Sequence, residues 1–405
     1  MTDGMPHRMV ERTHDGMTDR GNVAAAIAFI LVFPAFIAYQ VLVQAGVMAP
    51  SLGGYGTAGA AAALPFALYA FYRQAGVHGF APTPTGALFV VYLLMFSTFV
   101  FFGGTLNVDP EVTGPHAAYI FKFVVWYLIA RSVDADSPRF KLLGRLLLVG
   151  VIGLVIWMAV TRQSFAAVLR PMMPGEDPGD YQGSAMVFIA LAAYTIPSMR
   201  FAARIPAYAL STLTLFLVGA RSEFVGFILL IIVVEWCKAK SRPLMTLLMV
   251  AAAVAFLGAV KGIEANPDAN RIFGLLSVAN DESAILRGEM AAEAWVTVWE
   301  NPVMGAYASY PPGEYAHNLV SAWVDFGVIG FVLLLSLLAI PLAGLAMRFA
   351  SDSRRDDFIR TLALAAVVTL LMAVAKTHTY QLLGVSLGLY ARYRVARRAR
   401  LLAAA

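Results

Sequence analysis

Long apolar runs recur along this chain from residue 22 to residue 393, separated by short turns that carry most of the charge. A helix crossing the hydrocarbon core of a bilayer needs about 20 mostly apolar residues, and these runs are of that kind. Of the 405 residues 60% are hydrophobic and 14% charged, with a mean hydropathy of +0.71. A water-soluble domain of this size would need far more polar surface, so the bilayer is the solvent. The expected fold class is an all-α polytopic membrane protein of about twelve transmembrane helices. The spans are read at 22–46, 53–72, 86–103, 116–131, 142–160, 184–198, 205–220, 223–237, 244–260, 317–347, 359–376 and 380–394.

Charge placement sets the expected orientation. With the N-terminus in the cytoplasm, four groups fall in inward loops: Arg131, Arg139, Lys141 and Arg145; Arg200 and Arg204; Lys238, Lys240 and Arg242; and Arg348, Arg354, Arg355 and Arg360. The tail RYRVARRAR joins them, whereas Asp109, Glu111, Glu176, Asp177 and Asp180 fall outside. This is the positive-inside pattern, and it puts both termini in the cytoplasm. The stretch 205–236 is read as two short spans. As one helix it would be about 48 Å long, too long for a core of about 30 Å, and it would put two basic loops on opposite faces. The two spans meet at Arg221-Ser222, which places Arg221 at the outer face.

Residues 1–21 read as a disordered cytoplasmic leader, because they lack the short apolar core and cleavage site of a signal peptide. Residues 22–260 read as a nine-span bundle, 261–316 as an outward loop, 317–394 as a three-span bundle and 395–405 as a basic cytoplasmic tail. Cys237 is the single cysteine, so no internal disulfide can form, and it reads as structural filler at a helix end. Topology accounts for the net charge of +5, which gives no reason to expect nucleic acid as a partner.

Within the outward loop, Leu286, Met290, Ala294 and Val298 recur at four-residue steps, with Trp295 and Trp299 alongside. Ser283 can cap the start and Asn301-Pro302 ends the pattern. This predicts an amphipathic helix lying on the outer membrane surface. Arg221, Arg287 and His317 then share that side. Taken singly, each arginine could snorkel to lipid phosphate, and His317 could be an ordinary interfacial residue; their common side is what raises interest. His317, Ser321 and Asp325, at i, i+4 and i+8, make one polar stripe, with Asp325 about 12 Å along the axis. An acid inside a span is costly and points to function or to a packing role. Gly327 and Gly330 are read as packing glycines that allow close helix approach.

The order of motifs, R287-G-E-M, N301-P-V-M-G305, H317-N318 and D325-F-G327-V-I-G330, resembles the conserved block of the O-antigen ligase/polymerase superfamily. L217-V-G-A-R221-S-E is similar to the family's upstream arginine motif, with Ala220 where Ser is usual, and Asp325 stands where Glu is commoner. The resemblance implies a GT-C-like membrane glycosyltransferase of the bacterial inner membrane, its large outward loop periplasmic. It would use an undecaprenyl-diphosphate-linked oligosaccharide donor and a glycan or lipid A-core acceptor, with membrane lipids around it and other polysaccharide-assembly proteins as candidate partners. No cofactor and no metal are expected. Arginine is a permanently charged bidentate donor for phosphate, so Arg221 and Arg287 are expected to bind the diphosphate and stabilise it as it leaves. A histidine can take the proton of the attacking sugar hydroxyl, a role given to His317, with inversion at the anomeric carbon. Orienting the acceptor is the alternative role.

Asn318 is expected to position His317 or bind sugar. Tyr307, Tyr310 and Tyr315 are expected to stack on sugar rings, with ordinary loop aromatics as the alternative. Glu314 is a weaker acid–base candidate, and Lys376 and His378 are expected to add positive charge near the lipid phosphates. Within the family the expected reaction is polymerisation of O-antigen or exopolysaccharide repeats, with ligation to lipid A-core as the alternative and transfer to protein less favoured. A flippase of lipid-linked oligosaccharide is the competing class, and an inert scaffold a third.

Overall fold

The computed structural model describes residues 20–49, 55–78, 83–105, 108–162, 180–247, 249, 282–311 and 315–404. The long helices among them are α1 (Arg20–Gln44), α2 (Gly56–His78), α3 (Pro84–Thr105), α4 (Pro110–Ser132), α5 (Pro138–Arg162) and α6 (Tyr181–Thr195). They continue as α7 (Phe201–Val218), α8 (Arg221–Lys238), α9 (Glu282–Glu300), α10 (Val320–Ala346), α11 (Asp356–Val374) and α12 (Leu382–Ala404). Six of these, α1, α3, α5, α7, α10 and α11, are long and apolar enough to cross a membrane. The chain is an α-helical membrane protein.

Each apolar run read from the sequence coincides with a helix wherever it lies within the described residues. The leader up to residue 19, most of the run at 244–260, the loop from 261 to 281, and Glu314 lie outside them. The stretch 205–236 is indeed two helices: α7 ends at Val218, Gly219 is left-handed (φ 77°), and α8 opens at Arg221. Two boundaries differ from expectation. The helix expected from residue 317 starts at Val320, so His317 precedes it, and the expected basic tail is the helical end of α12.

The helices other than α9 pack around one apolar core. The tightest crossing is α12 on α4, where Gly384 and Gly388 lie one turn apart. A Cβ at Gly384 would sit 2.9 Å from the Phe123 carbonyl oxygen, and one at Gly388 would sit 2.5 Å from that of Tyr127. Such small-residue seams let backbones approach where lipid gives helices no hydrophobic drive to associate.

Ion pairs gather at one end of the bundle and join loops that the charge pattern assigned to a common side. Lys238 pairs with Asp356 (2.8 Å), Arg360 with Asp136 (3.3 Å), Arg392 with Asp134 (2.8 Å) and Arg400 with Asp357 (2.8 Å). Helix α9 buries Ala294 and Val298 against Ala316 and Val324, whereas Leu286, Trp295 and Trp299 are exposed. The four-residue stripe is therefore divided: its C-terminal half packs on α10, and its N-terminal half faces outward.

Candidate functional site

The site is organised by an interruption in α10. Gly327 lies inside that helix at φ 64°, ψ −167°, a conformation open essentially to glycine alone. The interruption separates Val328 from Val324, which an intact helix would join by an i→i−4 bond. The loop after α9 takes up both halves. Ala306 N–H donates to the Val324 carbonyl (2.6 Å), and Val328 N–H donates to the Pro302 carbonyl (3.0 Å). Trp323 Nε1–H donates to the same Pro302 oxygen at 2.9 Å. The expectation that Gly327 serves helix–helix approach is thus corrected. A Cβ there would lie 1.9 Å from the Val303 carbonyl oxygen, and one at Gly305 would lie 2.5 Å from Gly327 N, so the two glycines let loop and helix backbones touch. Gly330 likewise faces Phe326 of its own helix, which the interruption brings to 2.2 Å from an added Cβ.

This splice fixes the segment carrying His317. Asn318 holds the start of α10, its amide oxygen accepting the Val320 N–H (2.9 Å) and its carbonyl accepting the Ser321 hydroxyl (2.8 Å). His317 is half-buried just ahead, its ring centroid 4.8 Å from that of Tyr315. Burial, reinforced by the positive charges of Arg287 and Lys376, pushes the His317 pKa down to about 4. The depression leaves the imidazole neutral at pH 7 and a weaker base in the free protein. Arg287 is exposed on α9 and also acts on Tyr315, whose pKa burial raises and Arg287 pulls back.

Lys376, in the turn between α11 and α12, links this group to α8. Its ammonium is 2.7 Å from the fully buried Glu223 carboxylate and donates to the Gln182 side-chain oxygen at 3.0 Å. Arg221 is two residues before Glu223, half-buried at the opening of α8. Tyr315 lies against His317, and the charges of Arg287 and Lys376 reach it; Arg221 shares the opening of α8 with Glu223, the partner of Lys376. Removing one partner of a buried pair leaves a charge without compensation, at about 3–5 kcal/mol. Lys376→Met is accordingly expected to lower the melting temperature in detergent markedly, and adding Glu223→Gln is expected to recover most of the loss. Equal melting of Lys376→Met and wild type would contradict this.

The other expected residues have different surroundings. The Tyr307 hydroxyl is 2.8 Å from His116 Nδ1 and its ring stacks on Phe326, while Tyr310 O–H donates to Asp325 at 2.9 Å. Both tyrosines fasten the loop to the bundle, which leaves Tyr315 as the ring against His317. His378 is buried beside Asp325 and Ser321 rather than facing the lipid phosphates. The polar stripe is present from Ser321 to Asp325, and it converges on His378.

Sequence reasoning passed over Lys122, Gln182 and His116. Lys122 sits within an expected span, 4.5 Å from the Tyr119 ring centroid. A lysine at that depth was itself the available signal. His116, like His317, opens an expected span and carried the same signal, whereas nothing local in the sequence says which helix face Gln182 occupies. No protein-family model matches the chain, and no curated protein matches it.

Proposed function

We propose that this chain is a glycosyltransferase of about twelve spans and GT-C-like architecture in the bacterial inner membrane. Both termini are cytoplasmic, and the His317 group opens to the periplasm. It moves a glycan from undecaprenyl diphosphate to a sugar hydroxyl, polymerising O-antigen or exopolysaccharide repeats. The observation that carries this reading is a half-buried His317 just ahead of an apolar helix, within the influence of the positive charges of Arg287 and Lys376. A lipid-anchored diphosphate needs positive charge at the water boundary, and a hydroxyl nucleophile needs a base beside it. The acceptor oxygen bonds to the anomeric carbon as the carbon–oxygen bond to diphosphate breaks, with inversion. The hydroxyl proton passes to His317, and the diphosphate leaves with its charge held by Arg287 and Arg221.

Charge also gives the reaction an order. In the free protein Arg287 and Lys376 depress the basicity of His317; a bound diphosphate offsets their charge and raises it. Neutral His317 is the active form, so the rate falls as pH drops through its pKa. The acid limb of kcat/KM, which reports the free enzyme, is expected near pH 4. The limb of kcat, which reports the substrate complex, is expected at higher pH. Coincident limbs would remove this coupling.

The interrupted α10 with its buried Asp325 favours a second reading, a transporter of lipid-linked glycan, because transporters bind substrates and ions at broken helices. Here the loop takes the freed Val324 and Val328 backbone groups, so those groups are not offered to an ion. The deciding test is deletion of the gene in the native host, followed by complementation with wild type, His317→Ala or Arg287→Ala. Loss of long chains, leaving core with one repeat or no exopolymer, identifies a polymerase. Unmodified core with long glycan stranded on its carrier identifies a ligase. Full complementation by the variants at normal expression overturns the assignment.

A further inference from the structure

Inward from His317, α10 carries a second group of side chains that glycosyl transfer does not use. Asp325 is fully buried; its Oδ1 accepts the Ala308 N–H (3.0 Å) and its Oδ2 accepts the Tyr310 hydroxyl (2.9 Å). Among the described residues its ion-pair partner is His378, whose Nε2 is 3.5 Å from Oδ2. That is longer than a well-formed hydrogen bond, and buried Nε2 has no other hydrogen-bond partner. The remaining ring nitrogen of His378 faces the Ser321 hydroxyl at 3.4 Å. His116, from α4, lies with its ring centroid 5.8 Å from that of His378 and its Nδ1 2.8 Å from the Tyr307 hydroxyl. One donor atom from each of His116, Asp325 and His378 lies within 4.8 Å of the others, all three residues being buried.

We propose that His116, Asp325 and His378 bind one divalent transition-metal ion of the zinc class. Two imidazoles and a carboxylate are a donor set that such ions favour over calcium or magnesium. A buried carboxylate needs a counter-charge, and the cation supplies it. Ligating histidines characteristically have their second ring nitrogen held by an outer partner, which Tyr307 and Ser321 provide. With bonds of about 2.1 Å, tetrahedral donors stand about 3.4 Å apart, so the three side chains draw inward on binding. The ion then ties α4, α10 and the turn before α12 together and, through Tyr307 and Tyr310, secures the loop spliced into α10. This structural role is independent of the glycosyl-transfer reading.

The test uses the full chain, purified in detergent on an affinity tag without histidine. Elemental analysis is expected to find about one zinc-class ion per chain. Stripping with a chelator is expected to lower the melting temperature, and Zn²⁺ to restore it. Co²⁺ added to the stripped protein is expected to give the visible absorption of a low-symmetry, four- or five-coordinate ion. Tyr307→Phe, which keeps the ring and removes the hydroxyl holding His116, is expected to weaken Co²⁺ binding about 10- to 100-fold. His378→Gln is expected to abolish it, and His317→Ala to leave it unchanged. A wild-type chain that melts cooperatively yet neither carries metal nor changes its spectrum with Co²⁺ overturns the proposal, whether or not the variants fold. Undiminished Co²⁺ absorption in His378→Gln overturns it as well.

Discussion

Replacing His317 with alanine is expected to lower glycan transfer by about 10²- to 10⁴-fold, the usual contribution of a positioned general base. The measurement is turnover of a polyprenyl-diphosphate oligosaccharide by the purified variant, together with its melting temperature. Little loss of stability is expected, because His317 precedes α10 and is half-buried, and the start of that helix is held by Asn318. The loss should fall on kcat, since proton removal belongs to the transition state. Arg287→Ala should behave differently. Arg287 is exposed and contributes charge, so its loss is expected to raise KM as well as lower kcat. Removing that charge also relieves the pressure on His317, so its acid limb should move upward from about 4. A His317→Ala variant that folds and keeps more than about a tenth of wild-type turnover would contradict the role of base, given that expected contribution. A variant altered only by a raised KM would make His317 a residue that orients the acceptor.

The sequence exposed the long-range plan through hydropathy and charge, because those properties act over a whole span and survive boundary errors. The division of 205–236 into α7 and α8 followed from length and from keeping two basic loops on one face. Charge placement put the basic loops on a common side, and several of their residues pair with Asp134, Asp136, Asp356 and Asp357, which it did not single out. Asn301-Pro302 ended α9 as expected. The interruption at Gly327 was not legible, and the reason is physical. The run from Val320 onward is apolar enough to pass for one continuous span, and a glycine in it serves equally for close helix packing. Only the loop reveals the difference, because the hydrogen bonds that replace the missing helical turn come from residues 302 and 306. Tyr307 and Tyr310 were hidden in the same way. Their spacing says that they share a loop, but not that their hydroxyls end on His116 and Asp325.

Gly327→Ala is expected to be the most damaging glycine-to-alanine substitution among the described residues. Alanine is strained by about 1–3 kcal/mol in this backbone region, and its Cβ would overlap the Val303 carbonyl oxygen at 1.9 Å. Relief requires either closing α10 into a regular helix or moving the loop. Closing the helix would restore the Val328-to-Val324 bond, but it would displace the loop and leave the Pro302 carbonyl and the Ala306 N–H unpaired. Moving the loop loses the two backbone bonds and the Trp323 bond, each worth about 0.5–1.5 kcal/mol. Moving the loop with the strain retained costs about 2.5–7.5 kcal/mol, and closing the helix relieves the strain but nets the loss of two bonds, about 1–3 kcal/mol. Both routes also pull Ala308 and Tyr310 away from Asp325 and shift the segment leading to His317. Gly327→Ala should therefore melt well below wild type in detergent and lose transfer activity beyond what its folded fraction explains. Gly46→Ala is the control: Gly46 also has a positive φ, but no atom lies within 4 Å of its added Cβ. It should show backbone strain alone, with a modest melting shift and full activity. If Gly327→Ala and Gly46→Ala melt alike, the contact between loop and interrupted helix is not what stabilises this end of the molecule.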